Sequence, residues 1–130
     1  RMESYLAPSL RARITTAPGE PLRRDRRWLT VVFVDLVGFT ELAARMEAET
    51  LAATLDEYLA DIGTLAAQHG GEVVEVLGDG VLIAHGLGSA TERRRLVCGA
   101  LAFLAGLGAL LGELEARSRA RGELVGFRIR

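Results

Sequence analysis

The sequence predicts an α/β fold, a sandwich of helices packed on one mixed sheet, and three observations carry that expectation. Short apolar runs rich in Val, Ile and Phe occur at 28–37, 73–85 and 124–130, the length and composition of strands. Two longer stretches, 49–69 and 91–117, repeat apolar residues at three- and four-residue spacing, as helices do. Their order along the chain is strand, helix pair, two hairpin strands, helix, strand, a pattern that layers helices on a sheet.

Each element has a local reason. Residues 1–27 hold all three prolines and little apolar pattern beyond short helical stretches at 2–6 and 9–14, so they read as a connector leading into a domain at 28–130. Trp28 to Val37 is apolar on both faces, which predicts a central strand with a layer on either side. Gly38 turns the chain, and Thr40 is placed to cap a short helix through about Glu47. From Glu49 to His69, Leu51, Leu55, Tyr58, Leu59, Ile62, Leu65 and Ala66 share one helical face, and Gly70-Gly71 stops it. Two apolar runs around Gly78-Asp79-Gly80 read as a hairpin. After the break at Gly86 to Ser89, a helix is expected from Thr91 to Arg117. Its core face is expected to hold Leu96, Val97, Ala100, Leu101, Leu104, Leu107, Leu111 and Leu114. Leu124 to Arg130 alternates Val125, Phe127 and Ile129 with arginine, as a strand does, and the chain stops inside it, which reads as the edge of a fragment.

At 130 residues and 49% hydrophobic content the chain can bury one core, so one domain is expected. No apolar stretch reads as a membrane span, and no signal peptide opens the chain. The single cysteine, Cys98, cannot form an internal disulfide, which fits a reducing, cytoplasmic compartment. All sixteen basic residues are arginine, and this excludes lysine-dependent chemistry. Residues 1–27 carry seven arginines against three acids. A solvated linker explains them better than nucleic acid or lipid contact, and Arg93, Arg94 and Arg95 read as polar surface. His69 reads as helix-terminal surface and His85 as a strand end without a partner at ligand spacing.

Asp35 is the chemical anomaly, a carboxylate inside a run that otherwise reads as a buried strand. Burying it unpaired costs several kcal/mol, so it must bind a cation, accept hydrogen bonds or sit at an exposed strand end. Asp79, at the hairpin tip, is its expected companion, although Asp-Gly is by itself a common turn. Divalent cations that serve phosphate chemistry are held by one or two carboxylates, with substrate and water completing the shell. Leu36-Val37-Gly38-Phe39-Thr40 follows at a strand-to-helix junction, whose backbone N–H groups suit phosphates.

Phe33-Val34-Asp35-Leu36-Val37-Gly38-Phe39-Thr40 and Leu77-Gly78-Asp79-Gly80, separated by a helix pair, closely resemble the class III nucleotidyl cyclases. The resemblance implies a ferredoxin-like sheet with helices packed on it and the conversion of a nucleoside triphosphate to a 3′,5′-cyclic nucleotide. It implies two Mg²⁺ or Mn²⁺ ions held by Asp35 and Asp79 with the Leu36 carbonyl, and substrate contacts from Val37, Gly38, Phe39, Thr40, Glu75 and Gly78. It also implies a head-to-tail homodimer, and the segment near Met2 to Leu10 looks like one that joins such domains to a sensory or membrane region. Where adenylate-type members carry a lysine, four residues before Asp79, this chain has Glu75. A carboxylate accepts from the N1 and N2 edge of guanine and repels the N1 of adenine, so GTP is favoured over ATP, with pyrimidine triphosphates left open. The family's transition-state asparagine and arginine, and its second base-selecting residue, come after Arg130, so these 130 residues alone are expected to be inactive.

The alternative is a cyclase-like regulatory module that binds nucleotide or pairs with another domain without turnover. Receiver domains need a lysine that is absent, and Leu77-Gly78-Asp79-Gly80 does not match the tip of diguanylate cyclases.

Overall fold

In the computed structural model, residues 26–88, 91–122 and 128–129 are described, with the backbone alone at Phe39, Leu42 and 128–129. The elements run β1 (Thr30–Val37), α1 (Phe39–Arg45), α2 (Ala48–Gln68), β2 (Gly71–Leu77), β3 (Gly80–His85), α3 (Arg93–Ala120) and β4 (Arg128–Ile129). The expected helical stretches at 2–6 and 9–14, and the rest of the last strand, lie outside the described residues.

The sheet order is β2-β3-β1-β4. Each pair is antiparallel: β1 with β3, β2 with β3, and β1 with β4. Helical crossovers join β1 to β2 and β3 to β4 around an intervening strand, which is the split βαβ arrangement of ferredoxin-like sheets. The pairings among the described residues are thus all antiparallel.

Strand pleating sorts the sheet into two faces. Val32, Val34 and Leu36 of β1 turn toward α2 and α3, in register with Ile83 and Val81 of β3. They close a core with Tyr58, Ile62 and Ala66 of α2 and Phe103, Leu107, Leu111 and Leu114 of α3. The opposite pleat of β1 exposes Val31, Phe33 and Val37. Among the described residues helices therefore cover one face, not the two that the apolar character of β1 predicts. The sequence showed that both faces of the strand are apolar, but apolar composition does not say whether a layer within the chain covers them.

Two helix readings also change. α1 begins at Phe39, so Thr40 falls inside its first turn and does not cap it. On α3 the buried residues are Leu96, Ala100, Phe103, Leu107, Leu111, Leu114 and Ser118, while Val97, Leu101 and Leu104 are exposed. Apolar residues occupy both flanks of this helix, and periodicity alone cannot choose which flank meets the core. For the same reason α3 is, by length and composition, apolar enough to cross a membrane, contrary to the expectation from sequence. In this fold its inner flank supplies much of the core.

Candidate active site

Asp35 comes from the C-terminal end of β1 and Asp79 from the β2–β3 turn, and the strand register brings them together. Asp35 lies opposite Gly80, the residue after Asp79. Directly opposed antiparallel residues and one peptide step place the two aspartate Cα atoms at most about 9 Å apart. Both side chains are half-buried. The Tyr58 phenol of α2, fully buried, feels both: burial first, then the charge of Asp35, then that of Asp79, pushes its pKa up. One hydroxyl sensing two carboxylates from distant parts of the sequence is a second sign of their convergence. The arginine ion pairs seen among the described residues lie elsewhere, joining Arg117 to Glu57 and Asp61, Arg121 to Glu57, and Arg119 to Glu115.

Local backbone chemistry shapes the turn. Leu77 pairs with Gly80, leaving a two-residue loop with Gly78 at φ +64° and no positive φ at Asp79, the pattern of a type II′ turn. Gly80 is needed for a different reason, because a Cβ there would stand 2.9 Å from Phe33 Cζ. The half-exposed Phe33 ring thus leans over the glycine that faces Asp35.

At the β1–α1 junction Gly38 has φ +80°, a conformation that favours glycine, and it carries the chain from the sheet edge into α1. Val37, Gly38 and Thr40 are exposed there, and Phe39 opens the helix. The Leu36 side chain is buried in the core and carries no donor atom, which leaves its main-chain carbonyl as the polar group at this position.

Glu75 reaches its position through a β-bulge. Val73 pairs with Ile83, and the register then slips so that Glu75, not Val74, faces Leu82. The extra residue rotates Glu75 to the open face, in one cross-strand row with Leu82 and Phe33. The next row is Leu77, Gly80 and Asp35. Two strand spacings and two residues of rise put Glu75 and Asp35 about 12 Å apart at Cα. Every proposed contact residue of the two strands and the turn thus gathers on or beside the open face. Sequence reasoning treated Tyr58 only as a core position and gave no role to Phe33; their helix and strand spacings are the same as those of pure packing residues. No group of three or more His, Cys, Asp or Glu side chains that could hold a metal occurs among the described residues.

A ferredoxin-like antiparallel sheet carrying an acidic pair at a strand end and a hairpin tip defines a nucleotide-cyclase type of domain. Residues 24–122 match the family described as the adenylate and guanylate cyclase catalytic domain, and the chain belongs to that family. It is 48% identical over 60 residues to an adenylate cyclase of Streptomyces coelicolor, covering 46% of this chain and 16% of that protein. An adenylate cyclase of Mycobacterium bovis is 35% identical over 91 residues, 67% of this chain and 20% of that one. Among solved structures, the adenylyl cyclase CyaB from P. aeruginosa superposes with a TM-score of 0.74 at 31% identity, over 78% of this chain and 52% of that chain. The guanylyl cyclase Cya2 shares the fold, with a TM-score of 0.62 at 23% identity, over 81% of this chain and 52% of that chain. The chain thus spans a fifth or less of these curated relatives and about half of the solved cyclases.

Proposed function

We propose that this domain forms the metal-binding half of a nucleotidyl cyclase centre, converting GTP or ATP to a 3′,5′-cyclic nucleotide and pyrophosphate in signal transduction. The observation that carries the proposal is the register that sets Asp35 against the residue following Asp79. Two half-buried carboxylates at a shared sheet end, with a buried phenol sensing both charges, suit a pair of Mg²⁺ or Mn²⁺ ions. When bound, such ions lower the pKa of the ribose 3′-hydroxyl and neutralise the departing pyrophosphate.

In this reading Asp35 and Asp79 hold the ions, with the Leu36 carbonyl as a further ligand. The backbone at Val37, Gly38, Phe39 and Thr40, with Gly78, positions the β- and γ-phosphates. The 3′-oxygen bonds to the α-phosphorus, the bond from that phosphorus to the β-phosphate oxygen breaks, and the hydroxyl proton passes to solvent. Glu75 accepts hydrogen bonds from guanine N1 and N2, which favours GTP, whereas the two curated relatives named above are adenylate cyclases and the solved Cya2 is a guanylyl cyclase. A second copy, head-to-tail, would close over the open face where Val31, Phe33, Val37 and Leu77 are exposed. The domain would work in the cytoplasm, attached or not to a sensory or membrane region.

The test is product formation by the complete domain with ATP, GTP, CTP and UTP in Mn²⁺. Asp35→Ala should abolish it, and comparable product from that variant would remove Asp35 from the mechanism. Nucleotide binding without turnover by the unaltered domain would return the regulatory-module reading.

A further inference from the structure

The outer flank of α3 is apolar where a helix packed by its inner flank needs no apolar residues. Val97, Leu101 and Leu104, spaced four and three residues apart, are 48%, 60% and 44% exposed and form one stripe. From Arg93 to Gly112 the helix contains no acid; Glu113 is its first. At the N-terminal end of the stripe Arg93, Arg94 and Arg95 are all exposed, with Glu92 the acid beside them.

Trp28 joins this end of the fold. The Arg93 guanidinium carbon lies 3.3 Å from the centre of its ring, yet the residue remains 65% exposed. Arg26 and Arg27 precede it, both exposed, and Arg27 donates a hydrogen bond to the Leu87 carbonyl at 2.7 Å, fixing the entering chain beside the loop that follows β3. Arg93 and Arg94, the entering Arg26 and Arg27, an exposed tryptophan and an apolar helical stripe therefore share one surface, whereas helical spacing turns Arg95 away from it. Its arginine–tryptophan end lies at the end of β3 opposite Gly80, where Gly86 meets Trp28 and Leu96, so that end and the Asp35–Asp79 pair are separated by the length of a strand.

We propose that this surface docks the domain on an anionic membrane. Guanidinium groups pair with lipid phosphates and tryptophan settles at headgroup depth, while valine and leucine side chains reach the acyl boundary. Charge complementarity selects anionic lipid, and the stripe separates lipid from nucleic acid, which would leave Val97, Leu101 and Leu104 in water. α3 lies on the covered side of the sheet, so docking by its outer flank leaves the open face free for nucleotide and for a second copy. The inference does not depend on turnover.

Trp28 is the one tryptophan of the 130 residues, so its emission reports docking directly. Vesicles of phosphatidylcholine with about one-third phosphatidylserine should shift that emission to the blue and co-sediment the chain, an effect that weakens as salt rises. Pure phosphatidylcholine should do neither. Leu101→Glu should weaken binding on the order of tenfold or more, and Arg94→Glu about fivefold or more, with unchanged thermal unfolding since both positions are exposed. Equal binding to both vesicle types, or none, overturns the proposal. Loss in Arg94→Glu with full binding by Leu101→Glu overturns it in favour of a general polyanion site. If Leu101→Glu instead dissolves a concentration-dependent dimer and vesicles leave the chain in the supernatant, the stripe is a self-association surface and the lipid assignment fails.

Discussion

Replacing Gly99 by alanine would place a methyl carbon 2.5 Å from the backbone carbonyl oxygen of His69, about 0.9 Å inside ordinary contact. That oxygen closes the C-terminus of α2, where Gly70 at φ +76° turns the chain into β2, so it cannot retreat as a side chain would. His85 Cδ2 stands 3.4 Å from the same methyl position, against the other side of the slot. Overpacking of this kind costs about 1–3 kcal/mol, while alanine in a helix interior returns up to about 1 kcal/mol over glycine. Gly108, in the same helix, is the control: it is exposed and nothing lies within 4 Å of its methyl position. Gly108→Ala should stabilise by up to about 1 kcal/mol, so the two variants should differ by about 2 kcal/mol, a Tm gap on the order of 10 °C. Thermal and denaturant unfolding of both variants measure it. A Gly99→Ala protein as stable as Gly108→Ala would show that α3 does not press on the end of α2.

Two further outcomes are expected. Glu75→Lys should lower use of GTP relative to ATP in the complete domain, read as the ratio of kcat/KM values; an unchanged ratio would show that the base does not reach this side chain. His85 is buried, and among the described residues neither ring nitrogen has a hydrogen-bond partner. Burial lowers its pKa, the Thr30 backbone, short of hydrogen-bond geometry, offsets part of that, and His69 adds to the lowering. The folded state therefore prefers the neutral ring, its stability is complete above the ordinary value of 6.5, and it declines as pH falls below that value. His85→Met should flatten this decline in denaturant midpoints between pH 7.5 and about 5.5, and an identical slope in the variant would place the titration elsewhere.

The chemistry was more legible in the sequence than the faces were. Asp35 announced itself as a charge among valines, and Gly78-Asp79-Gly80 as a turn, because local composition encodes both. Their meeting depends on β3 pairing with β1 across a helix pair, which no local pattern specifies. The ends of α2 and the hairpin strands fell within a few residues of expectation, since Gly70 and Gly78 adopt backbone angles that favour glycine. α3 was misread on one flank because Val97, Leu101 and Leu104 are as apolar as Leu96, Phe103 and Leu107. The second layer expected over β1 is missing from the described residues for a related reason: Val31 and Phe33 encode an apolar surface without naming what covers it. His85, read as a strand end, is enclosed because Gly71 and Gly99 lack the side chains that would fill its slot.

The register slip between Val73 and Glu75 gives β2 two independent halves. Upstream of it, odd-numbered residues point into the protein; downstream they point out. Deleting Val74 would leave Val73 opposite Ile83 and Glu75 opposite Leu82 in an unbroken ladder, so Glu75 would stay on the open face and only the local bend of the strand would be lost. A single-codon loss at this point would thus straighten β2 without moving the Leu77–Gly80 turn or the side on which Glu75 stands, so this strand can change shape while the carboxylates keep their places.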